Sequence, residues 1–313
     1  MSSLFGRRGG GRDGAGAHEE RDAQSLAAVE AGGIPLAAQE RLDQLRARGG
    51  RFFTSDLEVD EFLLVREGGF EPVTQVMGTS VYHVGWQFMP YASSWSFAAG
   101  GCTELDTQTE AWNEARRLAL GRLRSEAARA GADAVVGVRL SRAEFDWSQG
   151  LIEFASFGTA VRSRRYDLGD EPVLSNLSGQ EFAKLYAHGW WPVGLVAATT
   201  VVYVVASWQT QNAQQGFFAS MRNQELTDYT QGMYEARALA MRRAQQQAHE
   251  CGAHGLVGVR IEQHQHEHEV DQNGKRTDLI VELHVLGTAV VELQPDGEPP
   301  PTYIAVGIGK ETQ

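Results

Sequence analysis

The stretch Gly131-Ala132-Asp133-Ala134-Val135-Val136-Gly137-Val138-Arg139 returns as Gly252-Ala253-His254-Gly255-Leu256-Val257-Gly258-Val259-Arg260, each glycine and arginine 121 positions after its counterpart. The flanks repeat too. Glu114-Ala115-Arg116 recurs at Glu235-Ala236-Arg237, while Glu61-Phe62 and Pro72-Val73 recur at Glu181-Phe182 and Pro192-Val193. Gly158-Thr159-Ala160-Val161 recurs at Gly287-Thr288-Ala289-Val290, now 129 positions on, so the second copy holds eight more residues between its motifs. One repeat of this length means two copies of one domain, and it limits the fold to a unit that can be built twice in succession. The expected organisation is a flexible N-terminus and helical arm over 1–50, a first repeat over 51–168, a second over 173–294, and a tail over 295–313.

Each copy reads as a short helix, a strand, a long helix and a hairpin. In copy one, Ser55 or Asp56 can cap a helix that runs through Arg66, and Val73–Val84 is rich in β-formers. The long helix spans about Glu104 to Ala130. Ala115, Leu118, Ala119, Leu123 and Ala127 form its apolar stripe, matched by Ala236, Leu239, Ala240, Ala244 and Ala248 in copy two. A stripe so rich in alanine lets a helix lie close to a sheet, and Gly131 stops it. The closing strands are Val135–Leu140 and Leu151–Val161, then Leu256–Ile261 and Leu279–Val291, with Asn273-Gly274 turning the second hairpin. The eight extra residues lengthen that hairpin, which is expected to project from the body.

The arm holds two helical patterns, Ala23–Glu30 and Pro35–Arg48, the second opened by Pro35 at the first helical position. It has no counterpart in copy two, where a short polar linker around Asp170–Ser178 joins the repeats. The arm is expected to lie on the repeats or on a neighbouring chain. The tail's Thr302–Ile308 is apolar enough to add a strand to an exposed edge.

Composition removes several function classes. A formal net charge of −12 excludes general nucleic-acid binding, which depends on lysine and arginine neutralising phosphates. Cys102 and Cys251 stand at non-equivalent positions, so no disulfide framework is expected, and a reducing cytoplasm is. No n-region followed by an apolar h-region opens the sequence, so no signal peptide is expected. Trp190–Trp208 carries no charge and is flanked by tryptophans, which mimics a membrane span. Its counterpart Phe70–Trp86, however, contains Glu71, Gln75 and His83, and its own run of valine and threonine is β-rich. A strand buried on both faces is expected instead.

The helix with its Ala-Arg pair, the Gly-Ala-Asp-Ala-Val-Val-Gly turn and strand, and the closing Gly-Thr-Ala-Val strand resemble the YbjQ family. Copy one keeps the turn intact at Gly131–Gly137; copy two keeps Gly252, Ala253 and Gly258 but has His254 and Gly255 for Asp and Ala. Copy two has Tyr229 where family members tend to have tyrosine; copy one has Gln108. The Gly-Gly-Arg that often precedes the family's helix is missing from both. The resemblance covers about 52–165 and 175–293. It implies an α+β chain of two tandem dodecin-like β-α-β-β repeats, and single-domain relatives that assemble as pentameric rings. The family carries a heavy-metal-binding label and no settled reaction.

The first candidate for chemistry is a histidine cluster. His264, His266 and His268 alternate along a strand and therefore share a face. Val257, Val259 and Ile261 occupy the other parity and are expected to face the core, which turns the histidines outward. His284 on the returning strand shares that outward parity with Glu282. Imidazoles so placed suit zinc, copper or nickel, although same-face neighbours lie roughly 6.5–7 Å apart, awkward for one ion. A second, weaker metal candidate is His249, Cys251 and His254 at the end of the long helix of copy two, where His249 can instead complement the helix dipole. Arg116 and Arg237, identically placed beside the alanine stripes, are expected to form structural ion pairs across a domain interface, with Asp133 a partner in copy one. Trp86–Phe97 could line a small-molecule pocket between subunits. No nucleophile triad, phosphate loop or paired carboxylate stands out.

The expectation is therefore a non-enzymatic homo-oligomer, in the manner of a ring, that contacts protein partners through its arm or tail. A zinc- or copper-binding protein is the alternative. A small sheet covered on one face by its helix leaves its other face and its edges for neighbours to bury.

Overall fold

The computed structural model describes residues 12–49, 53–85, 100–144, 150–164, 171–215, 223–271 and 275–293. The Trp86–Phe97 segment, the Asn273-Gly274 turn and the tail lie outside them. Two arm helices, α1 (Arg12–Glu30) and α2 (Leu36–Ala47), precede the first repeat. That repeat runs α3 (Val59–Glu67), β1 (Phe70–His83), β2 (Gly101–Glu104), α4 (Asp106–Ala130), β3 (Ala134–Glu144) and β4 (Leu151–Ser163). A short strand, β5 (Val173–Leu174), leads into α5 (Gly179–Ala187), β6 (Trp190–Val205), α6 (Trp208–Gln215), α7 (Thr227–Glu250), β7 (Gly255–Asp271) and β8 (Lys275–Glu292).

The strands form two four-stranded sheets in the orders β1-β4-β3-β5 and β2-β6-β8-β7. Three strands of each sheet belong to one repeat and the fourth comes from elsewhere. The first repeat's β2 pairs antiparallel with β6, and β5 pairs parallel with β3. The layers alternate: first sheet, α4, second sheet, α7. On the first sheet, Ser156 Oγ donates to the Ala119 carbonyl at 3.0 Å, and a Cβ on Gly78 would collide with the same oxygen. The alanine stripe lets α4 settle this close. The other side of α4 meets the second sheet, where Leu105, Trp112 and Ala115 pack with Val201 and Tyr203. The opposite face of β6 presents Ala198, Val202 and Val204 to Ala236, Ala240 and Ala244 of α7. Nearly every residue of β6 is thus buried, as expected of a strand covered on both sides. No helix among the described residues is long and apolar enough to cross a membrane.

The repeated glycines have a conformational reason. Gly131 closes α4 at φ +74°, and Gly252 follows α7 at φ +66°. Gly137 (φ +66°) and Gly258 (φ +60°) sit in matching bulges, where register shifts between Val136 and Arg139 and between Val257 and Arg260. Other residues pay about 1 kcal/mol or more for such a left-handed backbone.

Several expectations are corrected. Helix α1 begins at Arg12, well before Ala23, and Pro35 stands just outside α2 as its cap. Glu58, not Ser55 or Asp56, caps α3 through a box with Glu61; a helix N-terminus accepts any side chain that can satisfy its free N–H groups. The linker is not a polar surface segment, because residues 172–177 are buried where β5 joins β3. The described part of the long hairpin does not project. Asp278, fully buried, accepts from Tyr203 OH at 2.5 Å, Ala206 N at 3.0 Å and Arg276 Nη2 at 2.6 Å, tying the hairpin to the body. The arm lies on the first repeat: Leu42 and Ile34 pack on Ala130, and Arg41 pairs with Glu126 at 3.0 Å.

Candidate functional site

The polar side chains that gather most densely do so in the seam where α4 and β3 of the first repeat meet β6 and β8 of the second. The hairpin register sets the second repeat's contribution. Glu262 opposes His284, His264 opposes Glu282, His266 opposes Ile280 and His268 opposes Asp278, so these share a face with Thr199, Val201 and Tyr203 of β6. That face is the one α4 covers. His284 is therefore largely covered, while on the edge strand His264 and His268 are half-buried and His266 stays exposed. Ile261 has the expected α7-side parity, opposite Val285, yet it and Val259 are exposed, because α7 lies mainly over β6 and β8 and touches the outer strand β7 only marginally.

His284 is the centre of the cluster. Its ring lies edge-on to Trp112 at 5.5 Å and to Phe154 at 6.3 Å, and 5.9 Å from His264. Its Nδ1 is 2.9 Å from Thr199 Oγ1 and its Nε2 is 3.3 Å from Arg142 Nη1. Arg142, from β3, stacks over Trp112 at 5.0 Å and pairs with Glu282 across the seam. His266 approaches the other oxygen of Glu282 at 3.6 Å. Burial pushes the His284 imidazole below its ordinary value; Arg116 and Arg142 add to that, and Glu282 opposes it. Burial opposes ionisation of Glu282, but the hydrogen bond to His284 and the charges of Arg142, His284 and His266 hold its carboxyl below the usual range.

Arg116 does not pair with Asp133. It donates to Thr199 Oγ1, Asn113 Oδ1 and the Ala197 carbonyl (2.7 Å), all neutral acceptors of the seam, and burial pushes it down to about 9, still charged at neutral pH. Asp133 accepts instead from Ser163 N at 2.7 Å. Arg237, its repeat counterpart, is exposed on α7. Arg243 of α7 reaches Glu104 of β2 at 2.6 Å and Thr200 Oγ1 at 2.9 Å, a second charged link between repeats.

The seam does not fit a metal. Both nitrogens of His284 are engaged, a cation beside it would face Arg116 and Arg142, and among the described residues no three His, Cys, Asp or Glu groups converge. The second candidate set is also dispersed. His249 is exposed on the last turn of α7, Cys251 is buried against Gly194, and His254 Nδ1 accepts from Glu292 N at 3.2 Å. A cleft of about 210 Å³ opens beside the cluster, with Arg116, Arg139, Arg142 and Arg260 on its walls. Glu262 also lines it, and Arg139 and Arg142 are matched by Asp56 and Glu282, so the arginines do not make it a free anion site.

Sequence reasoning had the parity of Glu282 and His284 but missed Trp112, Arg142 and Arg243. Nothing local marks them, because their partners lie in the other repeat.

Fold and seam together define a duplicated α+β chain whose most elaborate polar cluster fastens one repeat to the other. The model of the YbjQ family, described as "Putative heavy-metal-binding", matches residues 75–164 and 194–292, and the chain belongs to that family, with two tandem copies. It is similar to the encapsulin nanocompartment protein Rv1762c of Mycobacterium tuberculosis, 36% identical over 272 residues, covering 84% of this chain and 93% of that protein. It is also similar to UPF0145 proteins: one of Clostridium perfringens is 40% identical over 70 residues (22% of this chain, 62% of that protein). Another, of Thermotoga maritima, is 41% identical over 71 residues (23% and 63%). No solved structure matches.

Proposed function

We propose that the protein is a non-enzymatic assembly protein, two dodecin-like β-α-β-β repeats in one chain, that forms a closed homo-oligomer and acts in the cytoplasm as part of an encapsulin-type nanocompartment. The observation that carries this reading is the use of the seam's charged groups. Arg142 to Glu282, Arg116 to Thr199 and Arg243 to Glu104 each join one repeat to the other, which is the work of an interface. Similarity to the M. tuberculosis nanocompartment protein over most of both chains supports the setting.

Native mass spectrometry of the purified protein tests the first half: a single defined oligomer is expected, and a persistent monomer sinks it. Co-expression with an encapsulin shell protein tests the second. Co-elution of the two in the particle fraction is expected, and clean separation removes the nanocompartment from the proposal.

A further inference from the structure

The internal seam has an exposed double. Within the chain, residues 173–177 run along the edge of β3. Val173 N donates to Asp133 O at 3.0 Å, Ser175 N to Val135 O at 2.9 Å, Val138 N to Ser175 O at 2.9 Å and Gly137 N to Leu177 O at 2.7 Å. The same segment is held from beneath by its own repeat: Ser175 Oγ and Asn176 N contact Thr288 Oγ1 at 3.0 and 3.1 Å, and Leu177 N donates to Ser175 Oγ at 3.2 Å.

The first repeat builds the same device. Ser55 Oγ and Asp56 N contact Thr159 Oγ1 at 3.4 and 3.2 Å, and Leu57 N donates to Ser55 Oγ at 3.0 Å. Thr159 is the repeat counterpart of Thr288, and 55–57 of 175–177. Yet among the described residues no strand pairs with 53–57, and the segment is exposed or half-buried where 173–177 is fully buried. At the other end, β7 is the edge of its sheet, with no further strand paired to it among the described residues. Its Val259, counterpart of the wholly buried Val138, is 38% exposed.

The broad faces repeat the pattern. Asn113 and Arg116 of α4 lie under the second sheet, but their counterparts on α7, Tyr234 and Arg237, face solvent, Tyr234 at 67% exposure. Ala197 and Val201 of β6 are buried against α4, but their counterparts Met77 and Val81 on β1 are 45% and 57% exposed. One end of the chain thus offers a receptor-like set (the outer face of α7 and the edge of β7). The opposite end offers the matching set (the segment 53–57 and the outer face of the first sheet). An unpaired edge strand beside exposed apolar side chains is a template for strand addition.

We infer that a second copy of the chain docks head to tail through these ends, laying its residues 53–57 along Gly255–Val259 of the first copy and its first sheet on the first copy's α7. The contact is heterologous, so it propagates into a ring or a filament. The inference rests on the assembly reading above and names the surface by which assembly occurs.

Disulfide trapping tests it. Val135 and Leu174 are register partners in one buried cluster across the internal seam, and their counterparts are Leu256 and Thr54. A Thr54→Cys/Leu256→Cys variant should give, on mild oxidation, a ladder of covalent multimers with the 54–256 link identified by peptide mapping; neither single variant should. Val259→Lys places a charge on the docking edge and should raise the concentration at which the oligomer dissociates at least about tenfold, with an unchanged circular dichroism spectrum. A chain ending at residue 293 should assemble as the full chain does. A wild-type oligomer that gives no 54–256 link and ignores Val259→Lys overturns this surface while leaving assembly standing. Loss of the oligomer on removing the tail also overturns it, since the tail would then cover the edge. A monomeric wild type overturns both readings.

Discussion

The imidazole of His284 and the indole of Trp112 meet edge to face with centroids 5.5 Å apart, one from the last strand of the second repeat and the other from the long helix of the first. Arg142 lies over the same indole at 5.0 Å and holds Glu282. The two repeats therefore share one continuous interior, with a guanidinium, a carboxylate and two aromatic systems packed as in a domain core. Cutting the contact is expected to cost as much as cutting a core contact within either repeat.

Arg116 is the sharpest probe of that seam. Arg116→Ala leaves the Ala197 carbonyl without its guanidinium donor and Thr199 Oγ1 with His284 alone, and a loss of about 1–3 kcal/mol in urea unfolding is expected. Arg116→Lys should recover only part of the loss, because one ammonium cannot repeat the planar fork of contacts. A change below about 0.5 kcal/mol for Arg116→Ala, the level of an ordinary surface site, would show the seam to be loose.

The seam should loosen in mild acid. The folded protein holds His284 below its ordinary value of 6.5, so the unfolded chain takes up a proton first as pH falls. Stability contributed by the neutral ring is complete above about pH 6.5 and is lost as pH drops below it. Glu282, held below its ordinary 4.5, contributes stability above that value and loses it only further down. A melting temperature that falls between pH 7 and pH 5.5 in the wild type, and falls less in His284→Gln, is the expected result. Parallel curves for the two proteins would count against His284 as the source.

Two glycines of similar sequence character should respond oppositely to alanine. Gly78→Ala drives a methyl into the Ala119 carbonyl and the Leu123 backbone, neither of which can yield without moving α4, so a loss of about 3 kcal/mol or more is expected. Gly121 lies within α4 with nothing within 4 Å of an added Cβ, and Gly121→Ala should gain about 0.5–1 kcal/mol of helix propensity. Thermal melts of the pair decide whether α4 lies as close to β1 as described.

Calorimetric titration with zinc and with copper should show no stoichiometric ion, in line with the engaged nitrogens of His284 and the guanidinium groups around it. One tightly held ion per chain, lost in the His264→Ala/His266→Ala/His284→Ala variant, would put metal binding ahead of assembly.

The duplication, the alanine-striped helices and the doubly buried strand β6 were legible because each leaves a local or periodic mark. Gly137 and Gly258 recur because a bulge needs their backbone, and that need is written at one position. The seam was not legible. His284 alternates with Leu283 and Val285 as it would on any half-solvated sheet, and only the position of α4 from the other repeat decides that its face is covered. The same reason hid the environment of Arg116, identical in sequence context to exposed Arg237. The hairpin's added length is plain in the sequence and predicts projection, while its tie through Asp278 to Tyr203 leaves no local mark.

The pairing of β5 with β3 takes place inside a single molecule, which sets its response to dilution. Contacts between separate chains weaken as protein is diluted, whereas this one is held at the fixed effective concentration its linker imposes. The two-repeat body is therefore the smallest unit in which the protein can be handed on. If the proposed assembly forms, exchange between copies of it moves repeats two at a time and never singly.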